Sequence, residues 1–187
     1  MKLLLFDRVL CAEPLAAESV TLMTDSALLH PGNPLFVADF APEFIIDIMA
    51  AVTITRLGKS ITEKFAHRYF SALTPVARMV PVINGEPVRH GCPTLTDFDN
   101  SIVIGESMPL DTLAPTLEIQ CAGNRFTLSL DDCRFGQAVE LLSRNMTLKM
   151  GDIIATGRLP FSLPATPGTR LELTTADSSP LLRLKLK

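Results

Sequence analysis

In His90-Gly91-Cys92 an imidazole and a thiol stand two residues apart, and side chains at that spacing on a strand share one face. Such a pair could grip a transition metal from one side. A closed site needs a second pair of ligands, and none follows at a recognisable spacing. A loop histidine beside a buried cysteine is the preferred reading. His67 falls off the apolar stripe of its expected helix and reads as a surface residue, with Lys59, Lys64 and Arg68 as its solvated neighbours. The chain has 3 histidines and no nucleophile-elbow motif, so no Ser-His-Asp constellation can be assembled. Pro31-Gly32-Asn33-Pro34 reads as a turn rather than a phosphate-cradling loop. Cys11, Cys92, Cys121 and Cys133 lie far apart without a Cys-x-x-Cys pair, as buried cytosolic thiols would.

These residues must be positioned by a chain of 187 residues, the size of one domain over 1–187. Apolar residues make up 47% and charged residues 20%, which excludes a disordered chain and points to apolar surface covered by a partner subunit. A formal charge of -3, without a dense Lys/Arg run, recommends neither a nucleic-acid nor an acidic-membrane partner. Asp7 and Arg8 cut the opening apolar run too early for a secretory leader, and Asp47 interrupts the best membrane-span candidate at 44–55. A soluble cytoplasmic protein is expected.

Apolar β-rich runs occur at 2–6, 35–38, 44–55, 79–83, 116–121, 125–130, 152–156, 169–175 and 181–186. Ala122-Gly123-Asn124 and the segment Ala176–Pro180 look like hairpin connections. A first helix is expected from Ser60, with Glu63 in capping-box spacing and Ile61, Phe65, Tyr69 and Leu73 along one face, stopped by Thr74-Pro75. A second should run from Ser129 or Asp131 to Asn145 and bury Phe135, Ala138, Val139 and Leu142. Strands dominate and helices do not alternate with them, so the fold class is α+β.

Four segments, in order, resemble the catalytic domain of the fumarylacetoacetate hydrolase family. Leu141-Leu142-Ser143 with Thr147 through Gly157 is similar to the family's helix, its L-x-x-G-D-x-I-x-T-G strand and the substrate loop after it. Arg56 through Tyr69 resembles the strand–turn–helix that follows the metal-binding strand. Asp97-Phe98-Asp99-Asn100-Ser101 with Ile104-Gly105 resembles the F-D-x-S-x-x-x-G segment, and Met23 through Leu29 the stretch leading into the core. The resemblance implies a mixed β-roll with two main helices, usually in a homodimer. It implies chemistry on β-diketo and acylpyruvate acids, carried out with a magnesium- or calcium-type ion held by three carboxylates.

Carried over residue by residue, most of that chemistry is missing. The family's Glu-x-Glu pair falls on Asp47 and Met49, and a thioether does not suit a hard cation. No Asp or Glu lies between Glu63 and Glu86, where the third carboxylate belongs. A slipped register recruiting Glu43 would set it roughly 13 Å from Asp47 along a strand, too far to share an ion. The histidine–glutamate segment near the N-terminus reads Phe6 to Glu13, without a histidine; the lysine ahead of the F-D segment is Thr96; and the T-G-T-P loop reads Thr156-Gly157-Arg158-Leu159-Pro160. No catalytic residue and no metal cofactor are therefore assigned, and Asp47 is read as a remnant metal ligand. Arg78, Thr156, Gly157 and Arg158 are the candidate ligand-binding residues, for a small carboxylate or keto acid, although two solvated surface arginines are the preferred reading of Arg78 and Arg158. The expected protein is a non-catalytic ligand-binding or structural dimer. The alternatives are a metal-dependent hydrolase, isomerase or decarboxylase with a rebuilt site at Asp47, and a dimerisation module without a ligand.

Overall fold

Buried apolar side chains run almost without alternation through the two longest early strands, so both faces of the sheet they form must be covered. The computed structural model of the chain describes residues 1–10, 13–30, 33–176 and 178–187. The strands are β1 (Leu3–Phe6), β2 (Val20–Met23), β3 (Glu43–Thr53), β4 (Ala72–Ile83), β5 (Glu86–Pro87), β6 (Ile102–Ile104), β7 (Met108–Pro109), β8 (Thr116–Cys121), β9 (Asn124–Ser129), β10 (Ile153–Pro164), β11 (Arg170–Thr175) and β12 (Pro180–Lys185). The helices are α1 (Glu63–Ala66), α2 (Pro93–Thr96), α3 (Leu130–Cys133) and α4 (Phe135–Asn145).

A larger, mixed sheet has the order β2-β1-β10-β3-β4-β5, with β6 and β7 also on β4; a smaller one has the order β12-β11-β8-β9. β1 and β10 pair in parallel, β3 and β4 antiparallel over ten residue pairs. One apolar core lies between the sheets and under α4, including Ile48, Leu73, Ile119, Leu173 and Leu142. A second, smaller one covers the opposite face of the large sheet with Leu3, Leu5, Met49, Val76 and Ala155. This is an α+β fold built as a mixed β-roll.

The second expected helix is interrupted. Arg134 adopts a left-handed φ of 51°, which separates α3 from α4, while Phe135, Ala138, Val139 and Leu142 are buried as their spacing requires. The first shrinks to four residues. Ser60 is left-handed (φ 53°) and donates its N–H to Ser143 O, Ile61 N–H donates to Ser143 Oγ, and Glu63 N–H donates to Glu140 Oε2. Groups of α4 thus take the donors that a longer helix would have capped itself. From Ala72 the chain is a strand, because pairing with β3 outweighs the four-residue spacing of Tyr69 and Leu73. The run at 35–38 forms no named strand among the described residues; it is held by the bridge of Leu35 to Leu186 and by hydrogen bonds of Leu35 and Val37 with Lys187. Cys121 and Cys133 are buried and Cys92 is half-buried, while the readings of Cys11, Pro31-Gly32 and Asp177 lie outside the described residues. No helix among the described residues is long and apolar enough to cross a membrane.

Candidate functional site

β3 and β4 set Asp47 directly opposite Arg78, and β10 brings Ser162 to the other flank of Asp47. Asp47 is 1% exposed and Arg78 2%. A carboxylate buried that deeply needs compensating donors. The chain after β5 supplies them: Val88 N–H donates to Pro81 O and turns the backbone so that Arg89 covers the pair. Arg89 Nε donates to Asp47 Oδ2 at 2.7 Å and its Nη2 to Oδ1 at 3.2 Å, while Ser162 Oγ donates to Oδ1 at 2.5 Å. This is the two-pronged guanidinium–carboxylate geometry of strong ion pairs. Arg78 Nη2 and Thr21 Oγ1 both donate to Arg89 O, at 2.7 and 3.1 Å.

The cluster continues outward. Asp7 Oδ1 lies 3.8 Å from both Arg89 Nε and Arg158 Nε, and its Oδ2 lies 3.6 Å from Nε2 of the exposed His90. Three guanidiniums thus stand against two carboxylates. Burial pushes the Arg78 guanidinium down to about 10, partly offset by Asp47 and Asp7, so it remains charged at neutral pH. Burial also acts against the charge on Arg89, but the hydrogen bond and charge of Asp47 outweigh it and raise that group above its ordinary value. Nε of Arg78 and Nε of Arg158 are buried without a hydrogen-bond partner among the described residues, leaving unused donor capacity.

Met49, two residues along β3 on the face of Asp47, is buried in the smaller apolar cluster. Thr156 and Gly157 lie within β10, which continues through them to Pro164. Thr156 O accepts Arg8 Nε at 2.6 Å, and Thr156 Oγ1 donates to Ala50 O at 3.5 Å. A Cβ on Gly157 would lie 3.1 Å from Arg8 Cγ and 3.2 Å from Arg8 O, so the absence of a side chain lets β10 pass the Arg8 segment. Both residues hold the chain that carries Asp7. Glu13 is exposed and accepts Val9 N–H, and Thr96 Oγ1 donates to Cys92 O.

A hard divalent ion does not fit this donor set. Both oxygens of Asp47 already accept from Arg89 and Ser162, the next side chain on its face is a thioether, and the surroundings are positive. Among the described residues no three His, Cys, Asp or Glu side chains group to hold a metal. The forked donors suit an anion.

Arg89 and Ser162 were invisible in the sequence. Arg89 lies 42 residues from Asp47 in a stretch without periodicity, and only the return of the chain after β5 sets it over β3. Ser162 belongs to the half of β10 beyond the expected run at 152–156, past the residues that the resemblance gave as a loop.

The resembling segments meet in pairs: Gly58 bridges Leu148, and Thr24 N–H donates to Asp97 Oδ1 at 3.0 Å. Among solved structures, a fumarylacetoacetate hydrolase family protein of Yersinia pestis superposes with a TM-score of 0.79 at 17% identity, covering 100% of this chain and 92% of that one. The chain has the fumarylacetoacetate hydrolase fold. Fumarylpyruvate hydrolase of Pseudomonas aeruginosa, solved with Mn2+ and pyruvate, has a TM-score of 0.76 at 16% identity and the coverage is 100% and 90%. For 5-carboxymethyl-2-hydroxymuconate delta-isomerase of Mycobacterium smegmatis the TM-score is 0.76, the identity 20%, and the coverage 99% and 78%. No family model matches the sequence, and no curated protein does.

Proposed function

We propose that this chain uses the fumarylacetoacetate hydrolase fold without its metal chemistry, as a non-catalytic cytoplasmic homodimer that binds a small carboxylate. One observation carries the reading: the carboxylate where the family fold would hold its ion is clamped by Arg89 and Ser162 and faces Arg78, with Arg158 farther out beside Asp7. A keto acid or dicarboxylate would meet the partly exposed guanidinium of Arg158 at the outer rim, beside that of Arg89, with the exposed His90 imidazole as a further hydrogen-bond partner. The exposed Leu57 and Met150, on segments joined by the Gly58–Leu148 bridge, support a covered face between subunits.

Calorimetric titration with Mn2+ and Mg2+ is expected to show no stoichiometric uptake. Oxalate should raise the melting temperature, and Arg158→Ala should abolish that rise. A stoichiometric Mn2+ site lost in Asp47→Ala would overturn the reading. The second reading is a metal-dependent hydrolase, isomerase or decarboxylase acting on acylpyruvate or β-diketo acids, favoured by the neighbours' activities. It predicts Mn2+-dependent turnover of fumarylpyruvate. A dimer without a ligand predicts no response to oxalate or keto acids.

A further inference from the structure

Two strand edges face each other without pairing on the side of the molecule where the sheets diverge. In β12 and the residue after it, Leu186 bonds toward β11: its N–H donates to Thr169 O at 2.9 Å and its C=O accepts Gly168 N–H at 3.0 Å. Strand alternation therefore turns the peptide groups of Leu181, Arg183, Lys185 and Lys187 the other way. The ends of that edge are closed, because Leu181 O accepts Glu106 N–H at 2.6 Å and Lys187 N–H donates to Leu35 O at 2.9 Å. Between them, the N–H groups of Arg183 and Lys185 have no backbone partner among the described residues.

β6 is built in the same way. Met79 N–H donates to Ser101 O and Gly105 N–H to Pro75 O, so residues 101, 103 and 105 address β4. Ile104 then turns its peptide groups outward, and they too are unpaired among the described residues. The space between the two edges is a groove of about 960 Å³. Leu29, Leu35 and Ile104 give it apolar walls; Arg183, Lys185 and Lys187 give it positive charge, and Asp25 is the one acidic side chain among its described lining residues.

We propose that this groove receives an extended acidic segment of a partner protein, which adds as a strand to the free edge of β12. The span from residue 181 to 187 is about 20 Å, room for a strand of roughly five residues. Peptide groups of the guest would meet Arg183, Lys185 and Ile104, with apolar side chains toward the leucines and acidic ones toward the lysines. A second copy is a poor occupant. Two-fold pairing of β12 with itself would set Arg183, Lys185 and Lys187 against their own kind. The groove shares no residue with the Asp47 cluster, so the proposal stands whether or not that site binds a carboxylate.

The test is fluorescence anisotropy of a labelled, end-blocked Glu-Val-Glu-Val-Glu-Val peptide with the full chain at low salt, followed by amide hydrogen exchange of the complex. Saturable binding is expected, at least tenfold weaker for the same peptide with alternate backbone nitrogens methylated and for the surface variant Lys185→Glu/Lys187→Glu. Exchange at Arg183, Lys185 and Ile104 should slow on binding. Lack of saturation would mean that the lysines only guard the edge and would sink the proposal. Equal affinity of the methylated peptide, or protection elsewhere, would also defeat it, leaving charge attraction alone. Protection of these amides in the free protein that fades on dilution would assign the groove to a second copy and overturn the choice of partner.

Discussion

Asp47 shows how strongly one buried carboxylate depends on its neighbours. With Arg78 2% exposed and Arg89 committed to it through two nitrogens, removing the negative charge leaves two guanidiniums with only the more distant Asp7 as counter-charge. Asp47→Asn should cost about 3 kcal/mol in urea unfolding, a typical penalty for breaking one half of a buried pair. The variant should regain part of that loss if Arg89 is also replaced by Met. Asp152 offers the same logic with pH as the lever. Its buried side chain accepts from the Lys2 amide, the Lys2 ammonium and the Lys149 amide. Burial alone would push that carboxyl up, but these donors more than offset it and hold it below its ordinary value. The stability it contributes is therefore present above the unfolded carboxyl value near 3.9 and is lost as pH falls through the lower folded one. Asp152→Asn should lose about 2 kcal/mol at pH 7, and the gap from the native chain should close in urea titrations run at progressively lower pH.

Among the elements, the α3–α4 junction is the clearest case of a local conformation imposed by its surroundings. Arg134 holds a left-handed φ at which a Cβ is penalised, and glycine is not. Arg134→Gly should raise stability by about 0.5–1 kcal/mol, read as a higher melting temperature with helix content unchanged. Most strands were legible because apolar β-rich runs carried them: β1, β3, β8, β9, β11 and β12 lie within a residue or two of their expected places. The helix expected after Ser60 was not, because its donors are capped by Glu140 and Ser143 from a distant segment, and sequence spacing cannot report that. The short strands β5, β6 and β7 left no signal of their own, since each is held by pairing to the much longer β4, and β2 is held by pairing to β1. Of the residues in this cluster, the sequence singled out Asp47 by its place in the family's Glu-x-Glu pair, Arg158 by its place in the T-G-T-P loop and Arg78 as an arginine suited to a carboxylate. Arg89 and Ser162 were not singled out, since their partners are set by the return of the chain after β5 and by the length of β10.

At the scale of the whole molecule, the two sheets meet where the chain just after β6 reaches the start of β12. Glu106 N–H donates to Leu181 O, and a Cβ on Gly105 would lie 2.3 Å from that same oxygen. Gly105→Ala must push β12 away from the end of β6, and the strain should cost about 1–3 kcal/mol in denaturant unfolding. Hydrogen exchange in that variant should quicken at Glu106 before it does in β3 or β4.

The parallel pairing of β1 with β10 joins the second residue to one 150 positions later. A nascent chain emerging from the ribosome can close the β3–β4 ladder early, since those partners are near in sequence. β1 can pair early with the nearby β2, but its other edge has to wait until β10 has been made. Translation that stalls before that point would leave the open edge of Leu3, Leu4 and Leu5 as bait for chaperones, and chains truncated before β10 should aggregate through β1.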